Sequence, residues 1–145
     1  MAVPAHLSLV TLGVADVARA TAFYESLGWE RLPASQPTIS FFRLHSVTLA
    51  LFGATDLAAD ALLPASAATF VPGQFRGVTL AINVLSPAAV DRVYGEWLAA
   101  GATVVKPPEP TEWGGYSGYV ADPDGHLWEL AHNPYSPDWA APVSE

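Results

Sequence analysis

The segment WGGYSGYVADPDGHLWELAHNP, residues 113–134, contains the features of two adjacent strands and the turn between them. Residues 116–121 and 127–132 are rich in the aromatic and aliphatic side chains that strands favour. The tetrapeptide Asp-Pro-Asp-Gly at 122–125 separates them, and its proline and glycine suit a tight reversal. The segment therefore predicts an antiparallel strand pair, and it indicates a turn rather than a metal-binding pair of aspartates.

The order of elements that leads to this segment occurs twice in the chain. The tripeptide Val-Thr-Leu lies at residues 10–12 and again at 78–80, each time in an alternating segment typical of a strand. A segment with the features of a helix follows each copy, after a capping residue and before a glycine. The predicted strand and helix are residues 7–14 and 17–27 in the first copy and residues 77–84 and 88–100 in the second.

Further strands follow each helix, and they complete two βαβββ modules in one α+β domain. The strands are predicted at 29–32, 38–44 and 47–52 in the first module, and at 103–105, 116–121 and 127–132 in the second. The modules span about residues 6–53 and 77–134 of the single domain 1–145, with a connector at 54–76 and a tail at 135–145.

The connector is rich in alanine and proline, and Thr55 or Asp56 is predicted to cap a short helix over 57–63. Each sheet is covered by its helix on one face. We expect the other faces to meet across a central cleft that binds the ligand.

Composition excludes several classes of protein and partner. The chain has no cysteine, so a disulfide framework and a thiolate metal site are impossible. Its 6 Lys and Arg against 14 Asp and Glu are scattered, which argues against nucleic acid as a partner. No segment approaches the length of a membrane helix, and the N-terminus does not resemble a signal peptide. We expect a cytoplasmic homodimer that binds a small molecule and does not bind membranes.

Residues 113–134, together with VTLGVAD at 10–16 and AFYESLGW at 22–29, resemble the vicinal oxygen chelate superfamily, which includes glyoxalases, bleomycin resistance proteins and dioxygenases. The resemblance covers nearly the whole chain and implies a glyoxalase/bleomycin-resistance-type fold. It does not imply one function, because this superfamily includes lyases, dioxygenases, epimerases, thiol transferases and metal-free antibiotic-binding proteins.

The resemblance also implies where a metal would bind, with one ligand on each of four strands. The corresponding positions here are Leu9, Ala50, Thr79 and Glu129, and only the last has a typical ligand side chain. Selective metal binding needs three or four convergent ligands, so we expect neither a metal nor another cofactor.

The histidines are not expected to replace the missing ligands. His126 and His132 point to the face of a strand opposite to that of Glu129. His45 lies in a hairpin turn, and His6 precedes the first strand.

Candidate site residues follow from strand alternation and from local composition. Glu129 is the candidate catalytic residue, as a general base or as an anchor for a ligand amine; a structural hydrogen bond to a nearby hydroxyl is an equal alternative. Phe41 and Phe42 must point to opposite faces, so that one packs in the core and the other lines the cleft. The candidate ligand-binding residues are Thr11, Phe42, Phe52, Thr79, Asn83, Trp113 and Tyr116.

These observations leave three functions open. The first is a metal-independent protein that binds a drug or metabolite in an aromatic cleft. The second is an enzyme, either a lyase or isomerase with Glu129 as general base or a glyoxalase- or dioxygenase-like metalloenzyme with non-standard ligands. The third is a regulatory subunit. A lactoylglutathione lyase ranks low, because its enediolate intermediate needs a metal.

Overall fold

The structure is a computed structural model in which residues 2–141 are described. The chain divides into two compact units, the first ending at Pro72 and the second beginning at Gly73. Each unit contains one β-sheet, of three strands in the first and four in the second. This mixed arrangement of helices and sheets confirms the predicted α+β fold class.

The first unit contains a strand and a helix followed by a β-hairpin and a second helix. Strand β1 is parallel to β3, and β2 is antiparallel to β3, in the order β1-β3-β2. The elements are β1 (Leu9–Val14), α1 (Val17–Ser26), β2 (Ile39–Arg43), β3 (Thr48–Gly53), α2 (Ala54–Asp60) and a short 3₁₀ helix (Ala65–Ala68).

Helix α1 covers one face of the first sheet. Asp16 caps it by accepting a hydrogen bond from the Arg19 backbone N–H at 3.0 Å. On the buried side of the helix, the Tyr24 ring lies 6.1 Å from the Phe42 ring, and both side chains have no exposed surface. The core of this unit therefore lies between α1 and the sheet.

The predicted strand at 29–32 is not a regular strand. Arg31 forms only an isolated bridge to Phe42. The backbone N–H of Leu32 donates to the Phe41 carbonyl at 2.7 Å, but a turn begins at Pro33. Because proline restricts the backbone and has no N–H to donate, the pairing ends there, and this edge of the sheet is irregular.

The short helix after β3 begins three residues earlier than predicted, at Ala54 rather than residue 57. Gly53 precedes it without any side-chain cap, so neither Thr55 nor Asp56 has the predicted capping role. A β-carbon added to Gly13 would lie 3.3 Å from Ala54, which shows how closely α2 approaches β1. This part of the predicted connector is therefore packed on the first sheet.

The second unit repeats the order of strand, helix and strands. Strand β4 is parallel to β7, and β5, β6 and β7 are antiparallel neighbours, in the order β4-β7-β6-β5. The elements are β4 (Thr79–Asn83), α3 (Pro87–Ala100), β5 (Thr103–Pro110), β6 (Tyr116–Ala121), β7 (Leu127–His132) and a short 3₁₀ helix (Pro137–Trp139).

Strands β6 and β7 have the predicted limits, whereas β5 extends to Pro110 instead of ending at residue 105. Its pairing with β6 shifts register between Val104 and Lys106, and again between Lys106 and Glu109. The second shift spans Pro107 and Pro108, which have no N–H to donate. Gly118 permits β6 to lie close to β5 here, since a β-carbon at this position would be 2.8 Å from the Pro108 nitrogen.

Helix α3 covers one face of the second sheet. Ser86 caps its start by accepting a hydrogen bond from the Ala89 N–H at 3.0 Å, and Gly101 ends it in a left-handed conformation. The Trp97 ring lies 5.2 Å from that of Trp128 on β7, and both are buried. Within residues 2–141, no helix combines the length and apolar character needed to cross a membrane.

Replacement of the two adjacent phenylalanines of β2 should have unequal effects. Because Phe42 is fully buried, Phe42→Ala should lower the free energy of unfolding by about 3–5 kcal/mol. The partly exposed Phe41 is the matched control, and Phe41→Ala should cost clearly less. Urea unfolding of both variants measures the difference, and equal losses would contradict the placement of the core.

Candidate functional site

Register within the second sheet places Ala81 of β4, Glu129 of β7 and Tyr119 of β6 side by side. Trp128 packs toward α3, so its neighbour Glu129 points to the face of the sheet that α3 does not cover. We call this surface the open face of the second sheet. In this row the Glu129 carboxylate lies between Ala81 and Tyr119.

Glu129 has one hydrogen-bond partner among the described residues. The Tyr119 hydroxyl donates to Glu129 Oε2 at 2.9 Å, and both residues are partly buried. None of the described residues forms an ion pair with this carboxylate. The open face therefore has a carboxylate that is oriented by a phenol and not neutralised by a cation.

The environment of Tyr119 raises the pKa of its hydroxyl above the usual value. The largest cause is partial burial, which disfavours the phenolate, followed by the hydrogen bond to Glu129 and the negative charge of that carboxylate. Near neutral pH the Tyr119 hydroxyl is therefore protonated, and it is the hydrogen-bond donor to Glu129.

The neighbouring positions of the open face are uncharged. Thr79 is exposed, and it lies in register with Leu127. Asn83 lies in register with Ala131, and its carbonyl accepts a hydrogen bond from the Ala141 N–H at 2.8 Å. Thr79 and Asn83 thus share the face of Glu129, as the sequence alternation predicted.

The two aromatic candidates near the glycine loop have different positions. Trp113 is about half exposed at 49%, and its ring occupies the space where a Gly115 side chain would be. The Tyr116 hydroxyl instead donates to Asp91 of α3 at 2.7 Å, which also raises the pKa of this tyrosine. Tyr116 therefore lies on the side of α3 and not on the open face.

In the first unit, the choice between the two phenylalanines is corrected. Phe42 has no exposed surface and packs against Tyr24, so it belongs to the core and cannot line a binding surface. Phe41 points to the other face and pairs in register with Ala50, next to Thr11. Phe52, partly exposed, is two residues from Ala50 and has the same orientation.

The four positions of the family metal site do not provide a suitable set of donors. Leu9 and Ala50 have hydrocarbon side chains, and Thr79 has an uncharged hydroxyl. Across residues 2–141, no group of three histidine, aspartate or glutamate side chains could hold a metal ion. The side chains at these positions do not fit a transition metal.

The aspartates at residues 122 and 124 form the turn that their sequence predicted. Asp122 Oδ1 accepts hydrogen bonds from the N–H groups of Asp124 at 2.9 Å and His126 at 2.8 Å. This carboxylate fixes the connection between β6 and β7. Elsewhere in the unit, a ring nitrogen of His132 lies 3.0 Å from the Val84 carbonyl.

The model of the Glyoxalase/Bleomycin resistance protein/Dioxygenase superfamily matches residues 6–130, which is most of the chain. This chain belongs to that superfamily. The match confirms the family that the motifs suggested. No curated protein matches the sequence.

Solved structures agree with this assignment. A glyoxalase-related enzyme from Fulvimarina pelagi is 32% identical, with 90% of each chain covered and a TM-score of 0.77. A glyoxalase/bleomycin resistance protein/dioxygenase family enzyme from Burkholderia phytofirmans is 22% identical over 88% of this chain and 98% of its own, with a TM-score of 0.76. A lactoylglutathione lyase from Agrobacterium tumefaciens, 22% identical over 91% and 96%, has a TM-score of 0.65. The last two show similarity of fold only.

Tyr119 is the site residue that the sequence reasoning did not identify. The turn at residues 122–126 was sufficient to predict this contact. In the hairpin that it closes, residues of β6 and β7 that pair with each other are equally far from residue 124 in the sequence. That symmetry places residue 119 opposite residue 129, as observed. The hydroxyl that donates to Glu129 is thus that of a tyrosine across the hairpin.

Replacement of Glu129 should change the ionisation of Tyr119. In Glu129→Gln the pKa of Tyr119 should fall toward the ordinary value of about 10, because the negative charge is removed. The folded state raises this pKa, so the protonated phenol stabilises the fold below about pH 10, and this contribution is lost as the pH rises through the folded-state pKa.

Alkaline titration followed by near-ultraviolet absorbance measures this change. The variant should show one phenol that ionises at lower pH than in the parent protein. Tyr119→Phe is the control, since it should remove that component from both backgrounds. Superimposable curves for the parent and Glu129→Gln would refute the coupling.

Proposed function

We propose that this superfamily member is a metal-independent small-molecule-binding protein, in which Glu129 on the open face of the second sheet anchors the ligand. The observation that supports this best is the Glu129 carboxylate, which is oriented by Tyr119 at 2.9 Å without an ion-pair partner among the described residues. A partly buried carboxylate of this kind gains stability when a ligand supplies a charge-assisted hydrogen bond.

The chemistry around Glu129 favours a ligand with a protonated amine or another N–H or O–H donor. The net charge of −8 also favours a cationic or neutral ligand over an anionic one. Leu127 and Ala81 offer apolar surface beside the carboxylate, and the Tyr119 ring offers an aromatic one. We therefore propose a compact ligand with an apolar body and one donor group.

Beyond Glu129, we propose that the ligand contacts candidate residues whose side chains are not buried. In the second unit these are Thr79, Asn83 and the half-exposed Trp113. Thr11 and Phe52 of the first unit are not buried, and their role in ligand binding remains a prediction of the sequence. A homodimeric state and a cytoplasmic location remain predictions of the sequence.

A second candidate function is a lyase or isomerase with Glu129 as general base. The hydrogen bond from Tyr119 engages Oε2, which leaves Oε1 to take a proton from a carbon next to a carbonyl group. The same carboxyl group would return that proton to a neighbouring atom, so that the reaction needs no other reagent. The 32% identity to a glyoxalase-related enzyme from Fulvimarina pelagi supports this alternative.

Metal analysis tests the metal-independent proposal directly. Because Leu9, Ala50 and Thr79 offer no strong ligand, the protein should not retain stoichiometric Zn²⁺, Ni²⁺, Fe²⁺ or Mn²⁺ after incubation and desalting. Inductively coupled plasma mass spectrometry measures the metal content. One equivalent of a metal that is lost in Glu129→Gln would overturn the proposal.

A ligand screen tests the role of Glu129. Thermal-shift measurements with cationic antibiotics and with α-oxo and thioester metabolites should select compounds that have an N–H or O–H donor. For such a compound, Glu129→Gln should weaken binding by about 10- to 100-fold, as expected for loss of a charged hydrogen-bond partner.

Glu25→Gln is the matched control, because Glu25 is an exposed glutamate of α1. Calorimetry should give this control the same affinity as the parent protein. Equal affinity in Glu129→Gln would contradict the anchor role. Conversion of an α-oxo compound, lost in Glu129→Gln, would favour the enzyme over the binding protein.

A further inference from the structure

We propose a second binding site, in the first unit, that takes a small organic anion. The site is a pocket of about 330 Å³ at the end of the β2–β3 hairpin. Its polar lining includes Arg43, His6 and His45. This volume is at the lower end of the range for small-molecule pockets and suits a ligand with about one ring. The pocket belongs to the first unit, whereas Glu129 is in the second.

The charge of the lining is opposite to that of the chain as a whole. The chain has 14 acidic residues against 6 lysines and arginines, yet no aspartate or glutamate is among the residues that line this pocket. The pocket contains one arginine and two of the four histidines. An arginine and two imidazoles that can donate hydrogen bonds, with no carboxylate in the same lining, suit an anionic group.

Glu30 does not line the pocket, but it forms an ion pair with Arg43, which does. Its Oε2 lies 3.3 Å from Arg43 Nε, and the two side chains are 66% and 64% exposed. An ion pair this exposed is worth little and is readily exchanged. Arg43 can therefore turn part of its fork of donors to a carboxylate or phosphate group.

Backbone hydrogen bonds hold the two segments that contain the histidines. The Leu44 N–H donates to the Val47 carbonyl at 3.2 Å, which closes the hairpin that contains His45. The Thr48 N–H donates to the Ser8 carbonyl at 3.0 Å, which ties the segment containing His6 to the start of β3. The pocket is thus built by backbone pairing and does not depend on side-chain packing alone.

The remaining lining indicates what the anion is attached to. Leu7, Leu32 and Leu44 contribute apolar surface to the same pocket. Leu7 is 62% exposed, so a ligand would remove apolar surface from water. The combination suits an aromatic or aliphatic body that ends in a carboxylate or a phosphate group.

Titration of the full chain with benzoate, phenyl phosphate and uncharged benzamide tests this inference. Calorimetry should detect binding of at least one of the two anions, and benzamide should bind more weakly. Backbone amide NMR should place the largest shifts in residues 6–8 and 43–48. Failure of both anions to bind, or equal binding of benzamide, would overturn the proposal.

Matched variants separate this site from surface charge in general. Arg43→Gln should abolish the binding of the anion, whereas Arg92→Gln should not affect it. Arg92 is a suitable control because it forms a similarly exposed ion pair with Glu96, at 2.9 Å, in the second unit. The double variant His6→Asn, His45→Asn should bind the anion more weakly than the parent protein, because both imidazoles line the pocket.

Two outcomes would refute the assignment. The first is equal binding in Arg43→Gln and Arg92→Gln, and the second is a set of NMR shifts confined to the residues around Glu129. The outcome is independent of the proposed function, because Glu129→Gln should leave anion binding unchanged.

Discussion

The packing of Trp97 against Trp128 determines which chemistry the second unit displays. The two rings lie 5.2 Å apart between α3 and β7, and both are almost completely buried. The burial of two indole rings contributes strongly to the stability of the folded state. Because side chains alternate along a strand, the burial of Trp128 requires Glu129 to point away from the helix. The position of the carboxylate is thus a consequence of the core.

Much of the fold could be predicted from local sequence signals. The caps at Asp16 and Ser86, the glycine at residue 101 and the limits of β6 and β7 all depend on nearby residues. The early start of α2 was not predicted, because it depends on the close approach to β1, which is distant in sequence. The irregular segment before Pro33 has a local cause, the proline itself, which the prediction of a strand at 29–32 did not take into account.

The candidate site shows the same division. Strand alternation correctly placed Thr79, Asn83 and Glu129 on one face of the second sheet. It could not decide between Phe41 and Phe42, because both are equally suited to burial and only the contact with Tyr24 distinguishes them. The position of Tyr116 depends in the same way on Asp91, a residue of the adjacent helix.

The turn held by Asp122 has a further consequence for how this protein can change in length. Its carboxylate binds the N–H groups of Asp124 and His126, and this connection sets the register in which Tyr119 meets Glu129. Surface loops commonly accept insertions. A one-residue insertion here that shifted the register of β7 would exchange its two faces, burying the glutamate and exposing the tryptophan. Although the turn lies at the end of a hairpin, its length is therefore constrained by the packing of the core.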